Sequence, residues 1–203
     1  MTAKLVASVF LVAALGCNAP TFAAGSVEAG QAKSMTCAAC HGVDGNSVNP
    51  EWPNLAGQHA TYITRQLNAF RAGERKNDLM SPMAMILSDE DIADLAAYFQ
   101  AQTVTGGEAE PSKLALGQRV YRSGNVAGGV MACAGCHGPN GRGNPGAVYA
   151  SIQGQHATYA AAQLRAYRSG GRGTDPNQMM RNVAAQLSDE EIDAVASYLQ
   201  GLR

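Results

Sequence analysis

Apolar residues recur along this 203-residue chain at helical spacing, and no run alternates apolar with polar positions long enough to make a strand. Over residues 59–71, Ile63, Leu67 and Phe70 fall at i, i+4 and i+7 on one helix face, and a matching helix is expected over 156–168. Gly73 and Gly170 follow these segments as stop signals. Ser88 and Ser188 each precede a cluster of acids and then an apolar stretch, "IADLAAYF" or "IDAVASYL". Each serine therefore reads as the N-cap of a closing helix, with carboxylates in the first turn complementing the helix dipole. An opening helix is expected over 27–35 and again over 113–122. The predicted class is all-α.

These elements come in two sets because the sequence is duplicated. "CAACHG" at Cys37 recurs as "CAGCHG" at Cys133, "GQHATY" at Gly57 recurs unchanged at Gly154, and "LSDE" at Leu87 recurs at Leu187. The separations are 96, 97 and 100 residues, so the copies drift only by short insertions, which belong in loops. The second copy also carries a Gly-rich stretch, "SGNVAGGVMA", before its cysteine motif. The polar run "TVTGGEAEPS" between the copies reads as a connector. The expected organisation is one domain over 24–104, a linker over 105–111 and a second domain over 112–203.

The segment before the first copy has a different composition. Lys4, the apolar run "LVASVFLVAALG" and the small residues of "TFAAG" have the form of an export signal over 1–23, with cleavage after Ala23. Cys17 is read as an ordinary signal residue, since Ala14 stands where a lipoprotein site usually has Leu. The run is too short for a stable membrane span and no later segment is apolar for long enough, so stable membrane insertion is not expected. Charge divides unevenly. Residues 24–106 hold 9 acids and 5 bases, net −4, whereas 107–203 hold 7 acids and 9 bases, net +2. Such a balance does not suit nucleic acid, but a molecule polar end to end can be oriented as it approaches a charged partner.

Setting Cys17 aside leaves four cysteines in two C-x-x-C pairs, each followed directly by His. In an exported protein, C-x-x-C-H is a c-type haem attachment site. Two thiols one helical turn apart reach the two vinyl groups of a porphyrin, and the next residue projects toward the iron. Disulfides, a four-thiolate zinc site or a redox dithiol would each explain the cysteines but not the adjacent histidines. A covalently attached haem would also supply a staple and an apolar core element to domains of roughly 80 to 90 residues, a size that often needs one.

The ligand opposite His decides between carrier and catalyst, because a thioether there leaves no open site while an empty position permits peroxide chemistry. Three methionines crowd the stretch "NDLMSPMAMILSDE". A ligand used by both copies should occupy equivalent positions, and "LSDE" sets the local offset at 100 residues. Met83 then falls on Val183, Met85 on Ala185, and Met179 on Leu79. Met80 and Met180 alone match, each in a loop between two helices, and the remaining three are read as adaptable apolar filler. His59 and His156 are also equivalent; ligation by them would lower both potentials, and the competing reading gives them hydrogen bonds or exposure.

Taken with the motif string and the domain size, these features resemble the dihaem cytochrome c4 family over essentially the whole of the sequence after the signal. The resemblance implies two tandem class I cytochrome c domains related by pseudo-twofold symmetry, each with a covalently attached haem c. It implies thioethers at Cys37, Cys40, Cys133 and Cys136, proximal ligands at His41 and His137, and distal ligands at Met80 and Met180. It further implies a periplasmic carrier that passes single electrons among membrane-bound respiratory complexes, such as a bc-type complex and a terminal oxidase. The charge division is similar to the family's acidic first half and more basic second half. In such proteins a proline carbonyl orients the proximal histidine; Pro53 fits that role, but Ala150 stands at the second position, where a backbone carbonyl is still available. Tyr62, Tyr159, Gln66 and Gln163 recur one helical turn apart and could reach haem propionates or simply pack. Two other readings remain: the electron-accepting subunit of a flavoprotein dehydrogenase, and a dihaem peroxidase, against which the matched methionines argue.

Overall fold

The computed structural model describes residues 25–203, so the export signal, Cys17 and the cleavage position fall outside the described residues. The first half contains α1 (Val27–Lys33), α2 (Met35–His41), α3 (Ala60–Arg71), α4 (Met80–Met85) and α5 (Asp89–Ala101). The second contains α6 (Pro111–Ser123), α7 (Ala134–His137), α8 (Ala157–Arg168), α9 (Met179–Ala185) and α10 (Asp189–Gly201). Among the described residues there are no strands. Two isolated bridges, Asn125 with Val130 and Asn144 with Tyr149, close tight turns in the second half, the first of them within the Gly-rich insertion.

Each half is built around its last helix. Ser88 accepts from the Asp91 amide and Ser188 from that of Glu191, and both starts close a full capping box. In the first half, α5 packs on α1 and α3, burying Ile63, Leu95, Ala96, Tyr98 and Phe99 together. In the second, α10 packs on α6 and α8, and its core gathers Val120, Tyr121, Ile192, Val195, Tyr198 and Leu199. Two separate cores match the duplicated sequence.

The opening and closing helices cross at a glycine. A Cβ on Gly30 would collide with the Asp94 carbonyl and come within 2.7 Å of the Tyr98 Cβ; on Gly117 it would meet the Ala194 carbonyl and the Tyr198 Cβ at 2.8 Å. Backbone therefore lies directly on backbone at this crossing, an approach that only glycine permits. Lys33 reinforces it in the first half by donating to Asp94 at 2.6 Å and pairing with Asp91 at 2.8 Å.

The expected helix over 27–35 is in fact broken. It stops at Lys33 and restarts at Met35, because the Ser34 hydroxyl donates to the Gln31 carbonyl and diverts the helical ladder. The break turns the cysteine motif onto its own short helix, α2. Met80 and Met180 are also more ordered than expected, since Met80 opens α4 and Met180 is the second residue of α9. Met85 is not core filler: it is 66% exposed.

Gly30→Ala should destabilise the first half by about 3 kcal/mol, the upper end for overpacking, because backbone rather than a movable side chain opposes the new methyl. Thermal unfolding checks this, as a lowered midpoint of the protein's single transition.

Candidate haem sites and the interface between them

Cys37 and Cys40 lie within α2, Cys133 is the N-cap of α7 and Cys136 lies inside it; none of the four is in a disulfide. Burial pushes the Cys37 thiol up, and the Cys133 thiol up to about 11. Among the described residues no three His, Cys, Asp or Glu side chains converge as a metal-binding cluster. The four-thiolate zinc reading therefore fails. Gly42 and Gly138 end the two motif helices with φ of 78° and 77°, so the backbone turns away immediately after each histidine.

The histidines are held identically. His41 Nδ1–H donates to the Pro53 carbonyl at 2.9 Å, and His137 Nδ1–H donates to the Ala150 carbonyl, also at 2.9 Å. The missing proline costs the second histidine nothing in bond length. A carbonyl at Nδ1 fixes the tautomer and leaves Nε2 with its lone pair free to bind a metal. Burial lowers both pKa values below 6.5, only partly opposed by these hydrogen bonds, so the rings are neutral at pH 7.

On the methionine side, Asn77 Oδ1 accepts from the amides of Leu79 and Met80 at 3.1 and 2.9 Å, fixing the start of α4. Met80 and Met180 are half-buried. His59 and His156 are engaged elsewhere. His59 Nε2–H donates to the Arg142 carbonyl at 2.6 Å and His156 Nε2–H to the Ser47 carbonyl at 2.8 Å, each reaching into the other half. With Nε2 protonated toward a carbonyl, both serve the interface rather than a haem face.

That interface is reciprocal. Gln155 accepts from the Asn54 amide at 2.9 Å and donates to its carbonyl at 3.0 Å; Gln58 does the same to Ser151, at 2.9 and 2.8 Å. Deeper in, Arg75 donates to Gln66, Gln163 and the Tyr159 hydroxyl, while Arg172 donates to Gln163, Gln66 and the Tyr62 hydroxyl. Each half thus contributes one arginine that crosses to the other half's tyrosine. The repeat had marked the tyrosines and glutamines but not Arg75 and Arg172. Their signal was available, since each stands two residues after an equivalent glycine, Gly73 or Gly170. Arg65 joins from the first half only, because its counterpart is Ala162.

These three arginines have no carboxylate within ion-pairing distance among the described residues, although Arg172 is only 5% exposed. Burial acts to raise the Tyr62 pKa, but Arg172, Arg75 and Arg65 outweigh it and hold it below 10.0. Three buried polar atoms here also lack partners: Arg65 Nε, Gln66 Nε2 and Arg172 Nε. All can donate, and an unsatisfied buried donor is costly. A cluster of guanidinium groups and unpaired donors between the two halves fits a carboxylate-bearing group such as the propionates of haem.

A family model described as cytochrome c matches residues 27–103 and 114–203, once in each half. The protein is thus a dihaem c-type cytochrome, an electron-transfer protein with two covalently attached haem c groups. It is 46% identical over 206 residues to cytochrome c4 of Azotobacter vinelandii, spanning 97% of this chain and 98% of the relative. Its fold matches the crystal structure of reduced recombinant cytochrome c4 from Pseudomonas stutzeri with a TM-score of 0.86 at 45% identity, covering 89% of this chain and 100% of that one. The protein belongs to the cytochrome c4 family. It is also 39% identical over 170 residues to the thiosulfate dehydrogenase electron acceptor of Stutzerimonas stutzeri (strain A1501), spanning 81% of this chain and 78% of the relative.

Gln155→Ala should leave the Asn54 amide and carbonyl unpaired and weaken the contact between halves by about 2 kcal/mol or more. Denaturant unfolding followed at each haem should then separate into two transitions, where the parent protein shows one.

Proposed function

We propose that the protein is a periplasmic carrier that moves single electrons between respiratory complexes, with a terminal oxidase as acceptor. In this reading its two domains span 24–104 and 112–203, joined by the linker 105–111. Each haem supplies an iron that cycles between Fe(II) and Fe(III). Cys37 and Cys40 in one domain, and Cys133 and Cys136 in the other, tether the haem through thioethers. His41 and His137 would bind the iron through Nε2, and their Nδ1 bonds to the Pro53 and Ala150 carbonyls hold the rings against rotation. Met80 and Met180 would supply the second protein ligand of each iron, which would leave no position at which a substrate could bind. Arg65, Arg75 and Arg172 neutralise the propionates and keep water from the contact between domains.

The observation that carries this reading is the identical Nδ1–H to carbonyl bond at 2.9 Å in both halves, directly beside each C-x-x-C pair. Two equivalent, rigidly held imidazoles favour a pair of electron-transfer sites over one open and one closed iron, as a peroxidase would need.

A second reading, an electron-accepting subunit of a dehydrogenase, draws support from the similarity to the thiosulfate dehydrogenase electron acceptor. The partner is then a flavoprotein or another dehydrogenase, in place of free exchange with membrane complexes. Oxidation of the reduced protein by purified terminal oxidase at a rate matching respiration supports the carrier; stable co-purification of a dehydrogenase supports the subunit.

For the ligands, the oxidised protein should show the weak long-wavelength absorption of methionine-bound ferric haem. Met80→Ala and Met180→Ala should each remove about half of it. Complete loss in either single variant would overturn the assignment of one methionine to each iron.

A further inference from the structure

The two methionine segments, equivalent in sequence, are held by different means. From Arg75 to Met80 the sequence advances five residues, whereas from Arg172 to Met180 it advances eight. In the first half the segment is fastened by exposed, neutral groups: Asn77 Oδ1 takes the Leu79 and Met80 amides, and the Asn77 amide donates to Ser81 Oγ at 3.1 Å. In the second half Asp175, 5% exposed, takes over the corresponding role with a charge. Its carboxylate accepts from Arg181 Nε at 2.8 Å and from the Arg181 amide at 3.0 Å, while Arg181 also donates to the Gly173 carbonyl at 3.2 Å.

The longer segment also holds strain. Asn177 and Gln178, directly before Met179 and Met180, adopt left-handed conformations with φ of 52° and 57°. Two consecutive non-glycine residues in that region persist only where their surroundings over-determine them. The bonds from Asp175 to Arg181 span this strained stretch and close it into a loop with Met180 inside. Arg181, the residue after Met180, is thereby fixed through its backbone as well as its side chain.

We propose that Asp175 is a positioning residue for the Met180 thioether: clamped to Arg181, it makes the methionine of the second half harder to displace from iron than Met80. This rests on the reading that Met180 is an iron ligand. The clamp holds the loop shut against its own strain, so a competing ligand must break a part-buried charged bond before Met180 can swing away. The first half has only exposed neutral bonds to break. A small ligand should therefore enter the first half at lower concentration.

Imidazole titrated into the oxidised dihaem protein tests this, with loss of the long-wavelength methionine band as the readout. In the Met80→Ala protein the remaining band reports Met180 alone, and in the Met180→Ala protein it reports Met80 alone. The Met180 band should require about tenfold more imidazole for half-loss than the Met80 band, the scale of one charge-assisted hydrogen bond. Adding Asp175→Asn to Met80→Ala should bring the half-loss of the Met180 band down about tenfold, and adding Arg181→Lys, which keeps the backbone bond, should lower it by less. Asp175→Asn should leave the Met80 band of the Met180→Ala protein unchanged. Equal midpoints for Met80 and Met180, or a Met180 midpoint unmoved by Asp175→Asn, overturns the proposal. A mere loss of global stability would lower both bands' midpoints together and also counts against it. If Met80→Ala shows no band before imidazole is added, the ligand assignment itself has failed.

Discussion

Everything between the two halves depends on one pair of contacts, in which Gln58 and Gln155 each clasp both the amide and the carbonyl of a residue in the opposite half. A primary amide satisfies a backbone N–H and C=O as a neighbouring strand would, so the bonds are directional and buried. They set the halves in a fixed rotation about a pseudo-twofold axis. Only that rotation brings Arg75 to Tyr159 and Arg172 to Tyr62, and only their convergence creates a buried positive pocket. The electrostatics of the centre thus follow from hydrogen bonding at its rim.

Duplication has not produced identical sites. The proximal side is conservative in its geometry, since the histidines keep the same bond length although proline has given way to alanine. A backbone carbonyl is offered by any residue, so that change is absorbed. The methionine segments are where the halves differ, with three additional residues, a buried aspartate and two left-handed residues in that segment of the second half only. A third asymmetry lies at the interface, where Arg65 faces no counterpart. The charged groups near the centre thus differ between the halves, and local charge bears on a haem's potential.

Much of this architecture was legible in the sequence because its signals are local. Serine caps, terminal glycines, helical periodicity and the C-x-x-C-H motif act within a turn or two, and the duplication supplied the equivalence of Met80 and Met180. What escaped depends on distant groups or on local competition. The break at Ser34 comes from a hydroxyl that takes a carbonyl three residues back, which many helical serines do not do. Met85 lies in an apolar stretch yet faces outward, because α4 is too short to bury more than one side. Arg75 and Arg172 looked like ordinary charged loop residues, since their role exists only when two separated surfaces meet. His59 and His156 shared that ambiguity, and their partners lie 83 and 109 residues away.

The glutamine clasps have an evolutionary corollary. At these two points the joint reads main-chain atoms, which Asn54 and Ser151 offer equally. The clasps themselves place no demand on outward-facing side chains, and the two halves carry net charges of opposite sign, −4 over 24–106 and +2 over 107–203. A joint fastened in part through the main chain leaves each half of a duplicated electron-transfer protein room to carry a surface charge of its own.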